Sequence, residues 1–87
     1  MGNKELLDVK VFFSSVMGKD IFESKAITVS SQNKVGRFDI LPYHTNFITL
    51  IFDNIVIYGE NEEEVNYEFE RGVLEVRENK VNIFLGI

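Results

Sequence analysis

The residues best suited to chemistry lie in one short segment, where Pro42, the chain's only proline, closely precedes His44, its only histidine. Histidine can act as a general base or as a metal ligand, but each role needs partners. A zinc site requires further His or Cys ligands, and the sequence contains no cysteine. A serine triad requires a nucleophile-elbow motif, and no serine stands in one. Two interpretations of His44 stay open: a loop residue hydrogen-bonded to the backbone, or a contact residue for a partner.

The carboxylates offer little more for catalysis. The acidic run at 60–64 lacks the alternating ligands and the glycine of a calcium loop, so a solvated hairpin tip is predicted. Four other acids occupy alternating strand positions, which favours an outer solvated face: Asp39, Glu68, Glu70 and Glu75. A glycosidase pair among them would need a sugar cleft, which is hard to build in so small a chain. The sequence therefore predicts no catalytic residue, no metal and no cofactor.

Composition limits the partners. With 87 residues, 45% of them hydrophobic, the chain is predicted to form one domain spanning 1–87 without a linker. A net charge of -5 with scattered basic residues argues against nucleic acid. No apolar run reaches the roughly 20 residues of a membrane span, so no direct membrane insertion is expected. The absence of cysteine is consistent with a cytoplasmic location.

The elements that must position these residues are strands. Val9 and Val11 alternate with polar neighbours, and β-branched and aromatic residues dominate most of the chain. Turns are predicted at Asp53-Asn54 and Glu78-Asn79, with a break at Arg71-Gly72. Only 4–7 is plausible as helix. The pattern is typical of an all-β, antiparallel sandwich or flattened barrel.

Two sequence blocks resemble one known family. Leu41-Pro42-Tyr43-His44-Thr45-Asn46 resembles the Leu-Pro-Gly-His-x-Pro signature loop of the F-type ATP synthase epsilon subunit, called delta in mitochondria. Residues 71–83, RGVLEVRENKVNI, resemble the family's Gly-Gly-Phe-Leu-Glu-Val-x-x-Asn-x-Val-x-Val stretch. The blocks stand in the family's order, and segments 9–13 and 26–30 fall where its first strands fall. The likeness covers nearly the whole chain.

This resemblance implies a β-sandwich of about ten short strands at the foot of the central stalk. There it would bind the gamma subunit along one face and touch the polar loops of the c-ring, so that the rotor turns as one body. The complex would lie at the cytoplasmic, inner face of the plasma membrane as a peripheral assembly. No residue of this subunit is catalytic in the family. The residues expected on the c-ring side are Asp39, Pro42, Tyr43, His44 and Thr45.

The sequence also departs from the family. Tyr43 replaces the family's glycine and Asn46 its proline, so either the backbone at 43 carries about 1 to 3 kcal/mol of strain or the loop is rebuilt. The chain ends where the sandwich would end, so we expect neither the family's C-terminal helical hairpin nor its nucleotide site and inhibitory switch. A freestanding binding module outside the synthase stays open as an alternative. Self-association of the isolated domain is also open, because an unpartnered apolar face would seek cover.

Overall fold

The computed structural model describes residues 5–13 and 20–86, which form seven strands and no helix. Leu7, the end of the stretch considered for a helix, begins the first strand, whereas Lys4 lies outside the described residues. The strands are β1 Leu7–Phe13, β2 Asp20–Ala26, β3 Thr28–Gln32, β4 Arg37–Ile40, β5 Phe47–Tyr58, β6 Glu64–Arg77 and β7 Lys80–Leu85.

All seven strands belong to one sheet in the order β2-β1-β7-β6-β5-β3-β4. Its strand pairs are antiparallel except for β1 and β7, which run parallel with Val9 beside Val81. The expectation of a purely antiparallel sheet is wrong at this pair. Because β1 and β7 are the first and last of the described strands, their pairing brings the N-terminal and C-terminal parts of the described chain together within the sheet.

Two predicted chain reversals are in fact one β-bulge between two long strands. Phe52 pairs with Arg71 but Asp53 pairs with Phe69, which leaves Glu70 as the extra residue of β6. Asp53 has a φ of 77°, a backbone conformation that is also used in turns. The predicted hairpin turn at 53–54 and the break at 71–72 are therefore wrong. The described residues form seven strands rather than the expected ten or so short ones, because β5 and β6 are long.

The bulge lets the sheet fold over on itself. The first layer contains β2, β1, β7 and the parts of β6 and β5 on one side of the bulge; the second layer contains the remaining parts with β3 and β4. Aromatic contacts join strands that are not hydrogen-bonded neighbours. Ring centroids are 5.7 Å apart for Phe22 and Tyr67 and 5.6 Å apart for Phe38 and Phe47. The predicted all-β sandwich is confirmed.

Among the described residues, one apolar core lies between the layers, and alternate residues of the strands contribute their side chains to it. Gly72 lies where β6 passes close to β7: a Cβ there would be 2.7 Å from the carbonyl oxygen of Phe84 and 2.9 Å from a Leu85 methyl carbon. Any side chain at 72 would have to displace backbone. Glycine at this position is thus a packing requirement rather than a break in the strand.

The short connections follow their turn chemistry. Glu78 and Asn79 have φ values of 50° and 64°, as a two-residue type I′ hairpin requires, so the turn predicted there is confirmed. The acidic residues at 60–64 are all exposed, with Glu64 beginning β6, which confirms the solvated tip. Gly36 has the expected positive φ, 149°, in the connection between β3 and β4.

Candidate partner-contact site

The candidate site is the connection between β4 and β5, which we name the docking loop and define as residues 41–46. The backbone N–H of His44 donates to the carbonyl oxygen of Leu41 at 3.1 Å, which closes a tight turn. Pro42 fixes φ at the second position of this turn, and Tyr43 has a φ of 69° at the third. These are the features of a type II turn, whose third position favours glycine.

Tyr43 therefore keeps the backbone shape that a glycine would adopt most readily. Its side chain is 72% exposed, so packing does little to hold it there. Hydrogen bonding of the phenol to the Glu5 carboxylate raises the pKa of Tyr43 above its usual value, with smaller contributions from desolvation and from the Glu5 charge. Of the two alternatives from the sequence, the loop has kept a positive φ at 43 rather than being rebuilt.

Polar side chains tie the docking loop to the β6–β7 turn. The Tyr43 N–H donates to Asn79 Oδ1 at 2.6 Å, and the Glu78 N–H donates to Asn46 Oδ1 at 3.2 Å. The Asn79 carbonyl oxygen in turn accepts a hydrogen bond from the N–H of Asp8, in β1, at 2.8 Å. The two sequence blocks that resemble the family thus meet in space. The docking loop and the β6–β7 turn therefore hold each other in place.

His44 is hydrogen-bonded to the backbone, as the first of the two interpretations from the sequence expects. Its Nδ1 lies 2.7 Å from the carbonyl oxygen of Thr45, and its ring packs edge-on to Phe47 with centroids 5.6 Å apart. With Nδ1–H donating to that oxygen, Nε2 is left as the hydrogen-bond acceptor of the half-buried ring. The same histidine can therefore be fixed by the backbone and still present an acceptor to a partner.

The structure brings together four of the five predicted contact residues. Pro42, Tyr43, His44 and Thr45 lie in the docking loop, where Tyr43 and Thr45 are exposed and the other two are partly buried. Asp39 instead lies on β4, where its carboxylate accepts a hydrogen bond from the Ser30 hydroxyl at 2.5 Å. Asp39 is exposed but is anchored to the neighbouring strand rather than to the turn.

Three supporting roles were not predicted from the sequence: the contact of Glu5 with Tyr43, and the acceptor roles of Asn46 and Asn79. Asn79 belongs to the second block, and the family pattern also has an asparagine at this position. That match was the one indication that Asn79 has a role. Its partner could not be read from the sequence because Tyr43 and Asn79 are far apart along the chain. Glu5 carried no signal at all.

The exposed side chains of the docking loop include polar and aromatic groups of the kind that protein contacts use. Within 5–13 and 20–86, no three His, Asp or Glu side chains are grouped as metal ligands. A depression of about 500 Å³ lies elsewhere, on the outer side of β1, β2 and β7, and it is wide open and lined by charges of both signs, including Asp8, Lys10 and Lys80. The docking loop instead presents an exposed phenol ring, a threonine and an imidazole acceptor on a fixed backbone. None of the described residues lies in a helix that could cross a membrane.

Comparison with known proteins agrees with this architecture. The fold of this chain is similar to that of a chain in the cryo-EM structure of the Euglena gracilis mitochondrial ATP synthase, OSCP/F1/c-ring in rotational state 1. The TM-score is 0.75 and the sequence identity is 13%. That match covers 97% of this chain and 53% of the other, so this chain spans about half the length of its structural relative. No curated protein matches the sequence significantly. Residues 16–85 match the family described as ATP synthase, Delta/Epsilon chain, beta-sandwich domain. The chain therefore belongs to the ATP synthase delta/epsilon family, whose members are non-catalytic subunits of that complex.

Proposed function

We propose that this protein is a non-catalytic rotor subunit of the F1Fo ATP synthase, which couples the gamma subunit to the c-ring during proton-driven ATP synthesis. One observation carries the proposal. The turn that resembles the family's signature loop is held in a single shape by Asn79, a residue of the second matching block. A docking role explains why both blocks are needed together.

Stiffness supports a coupling role. A subunit that passes torque between two partners must deform little under load, and the docking loop has a proline-fixed φ and side-chain hydrogen bonds at Tyr43 and Glu78. The continuous strands β5 and β6 run from one layer to the other, so the layers are joined by backbone as well as by packing. A load applied at the loop would reach the whole domain.

The proposed contacts on the c-ring side are Asp39, Pro42, Tyr43, His44 and Thr45. Tyr43 is the most exposed aromatic of this group, and tyrosine is enriched where interfaces are most buried. The protein would work at the cytoplasmic face of the plasma membrane, within a peripheral complex and without entering the bilayer itself.

Reconstitution tests this proposal. The wild-type chain is co-expressed with its cognate gamma subunit and purified through a tag on gamma, at low and at moderate salt. We expect a stable complex with equal amounts of the two chains, which then binds the cognate c-ring in detergent. A wild-type chain that is folded but does not bind gamma at either salt concentration would refute the rotor role.

The alternative is a freestanding sandwich that binds a partner outside the synthase. The specific observation in its favour is the exposed apolar surface of the first layer, with Ile48 68% and Leu50 46% exposed. Self-association of the isolated chain would cover the same surface. Binding to gamma separates these possibilities from the rotor role, because neither of them requires it.

A further inference from the structure

Some stretches of strand have a hydrogen-bonded neighbour on one side alone among the described strands. They include β2, β4, the first part of β6, and residues 47–52 of β5, because β3 pairs with β5 at 56–58 and not before. We name residues 47–52 the open edge. Unpaired N–H and C=O groups at a sheet edge can pair with a strand of another chain, so proteins usually protect such edges with charged side chains.

The open edge lacks this protection. Charged residues lie on the other three stretches: Glu23 and Lys25 on β2, Arg37 and Asp39 on β4, and Glu68 and Glu70 on β6. The open edge has the sequence Phe-Ile-Thr-Leu-Ile-Phe and contains neither a charged residue nor a proline. Its composition therefore permits strand addition where the other edges oppose it.

The backbone groups of Ile48 and Leu50 point to the open edge. The Arg71 carbonyl oxygen accepts a hydrogen bond from the Gly86 N–H at 3.3 Å, so the Arg71 backbone faces away from β5. Its cross-strand neighbour Phe52 then faces away from β6. Because the direction of the backbone groups alternates along a strand, Leu50 and Ile48 face the same way as Phe52. Their N–H and C=O groups are thus available to a further strand.

The available stretch is short and centred on Thr49. At one end, the side-chain amide of Gln32 donates to the Phe52 carbonyl oxygen at 2.9 Å and occupies that position. At the other end, the docking loop stops directly before β5. Between these limits, the side chains of Ile48 and Leu50 are 68% and 46% exposed. Backbone groups free for pairing and exposed apolar side chains therefore belong to the same two residues.

A second copy of the chain matches this stretch. In antiparallel pairing about a two-fold axis at Thr49, Ile48 of each copy lies opposite Leu50 of the other, and each such pair exchanges both backbone hydrogen bonds. The Ile48 and Leu50 side chains of both copies then share one face as a single apolar cluster. Thr49 lies opposite its own counterpart, which is a favourable cross-strand pair. No charged residue of one open edge meets a charge on the other.

The symmetry and size of this contact set the kind of assembly it can form. Both copies use the same surface, so the contact closes at two chains and leaves the charged edges outside. One short strand pair is smaller than the roughly 800 Å² that each partner buries in a standard interface. Each chain also carries a net charge of -5, which opposes association. A dissociation constant on the order of 10 to 100 µM is therefore expected.

We propose that the open edge joins two copies of this chain into a weak antiparallel dimer, in which the β5 strands pair and the first layers form one continuous sheet. The inference goes beyond the proposed rotor function and does not depend on it. Pairing covers the open edge of the free chain, which is otherwise available for unspecific strand addition. A weak dimer also releases the monomer readily to another partner.

Sedimentation velocity of the purified chain at moderate salt tests the proposal. From about 1 to about 500 µM, we expect wild type to change from monomer to dimer. Ile48→Lys supplies the charge that the other edges carry, and should weaken the dimer at least about tenfold. The matched control is Ile21→Lys, at a residue that is 47% exposed on the same outer face, four strands from the open edge. That control should dimerise within about twofold of wild type.

Two further measurements guard against misfolding of the lysine variant. Ile48→Thr keeps a residue that favours strands, and should weaken the dimer about threefold at an unchanged melting temperature. In an NMR sample of mixed isotope labelling, the Ile48 methyl groups of one copy should contact the Leu50 methyl groups of the other.

Several results would overturn the inference. They are a wild type that stays monomeric at the highest concentration, association that continues beyond two chains, a folded Ile48→Lys variant that dimerises as wild type does, or the absence of the expected methyl contacts in the dimer. Equal weakening by Ile21→Lys would overturn it as well, because the apolar face rather than the strand edge would then form the contact. Gamma is absent from every sample, so these results are independent of the test of the rotor role.

Discussion

Replacing Tyr43 with glycine should stabilise the protein, although it removes a large side chain. A residue with a Cβ pays about 1 to 2 kcal/mol to hold the left-handed backbone conformation seen at 43. Glycine avoids this cost but gives back about 0.5 to 1 kcal/mol because its unfolded chain has more freedom. Little packing is lost at a side chain that is 72% exposed, and the contact with Glu5 that is lost with the phenol is solvent-exposed, where water replaces it at little cost. The expected net gain is about 0.5 to 1 kcal/mol, or roughly 2 to 8 °C in melting temperature.

The assay is chemical denaturation, supported by thermal melting. The slope of the unfolding free energy against denaturant concentration should be the same for all variants, so that their free energies can be compared. Two further variants separate strain from side-chain loss. Tyr43→Ala removes the ring and keeps the strain, so it should not stabilise. Tyr43→Asn tolerates the left-handed region and should stabilise the fold part of the way. If the glycine and alanine variants have the same unfolding free energy, backbone strain at 43 is not what limits stability and the reasoning fails.

Three further predictions concern the packing and the loop. Gly72→Ala should cost about 1 to 3 kcal/mol by calorimetry, since its Cβ would overlap the carbonyl oxygen of Phe84; a neutral effect would show that β6 and β7 can move apart. Asn79→Gly keeps the positive φ but removes the acceptor for Tyr43, so we expect a loss of about 1 kcal/mol and faster hydrogen exchange at the Tyr43 amide; unchanged exchange would contradict an anchoring role. Glu5→Gln should lower the pKa of Tyr43 towards its ordinary value in an NMR titration. Because the pKa of Tyr43 is raised on folding, the stability linked to this contact is present below about pH 10 and is lost as the pH rises through the folded-state pKa; a pKa that does not respond to Glu5→Gln would exclude the contact.

The errors made from the sequence have one physical origin. Asp53-Asn54 has the composition of a turn, and its backbone does adopt a positive φ at Asp53. The same local conformation serves either a hairpin or a bulge, and the choice depends on which strand lies opposite. Here β6 pairs with β5 on both sides of Asp53, so the chain continues instead of reversing. Gly72 was misread for a similar reason, because its requirement comes from the carbonyl of a distant strand.

The sequence predicts the residues of the docking loop better than it predicts the residues that hold the loop in place. The residues of the docking loop were identified because proline, histidine and an unusual tyrosine are local signals. The anchor at Asn79 and the contact from Glu5 depend on segments that are remote in sequence, so no local pattern could pair them with Tyr43. Asp39 is close to the loop along the chain, but its hydrogen bond to Ser30 on β3 depends on strand pairing and could not be predicted.

The sequence by itself determined the all-β class, the acidic tip, the Glu78-Asn79 hairpin and the family resemblance, because each is encoded within a few neighbouring residues. The alternation of apolar and polar residues also predicts which residues of one strand lie on the same face of the sheet. It does not predict which residues of different strands are neighbours. That depends on register, and one residue of slippage would move every side chain to the opposite face. Leu50 and Ile21 share the outer face of the first layer only through the register of five strands, so their arrangement could not be predicted from the sequence.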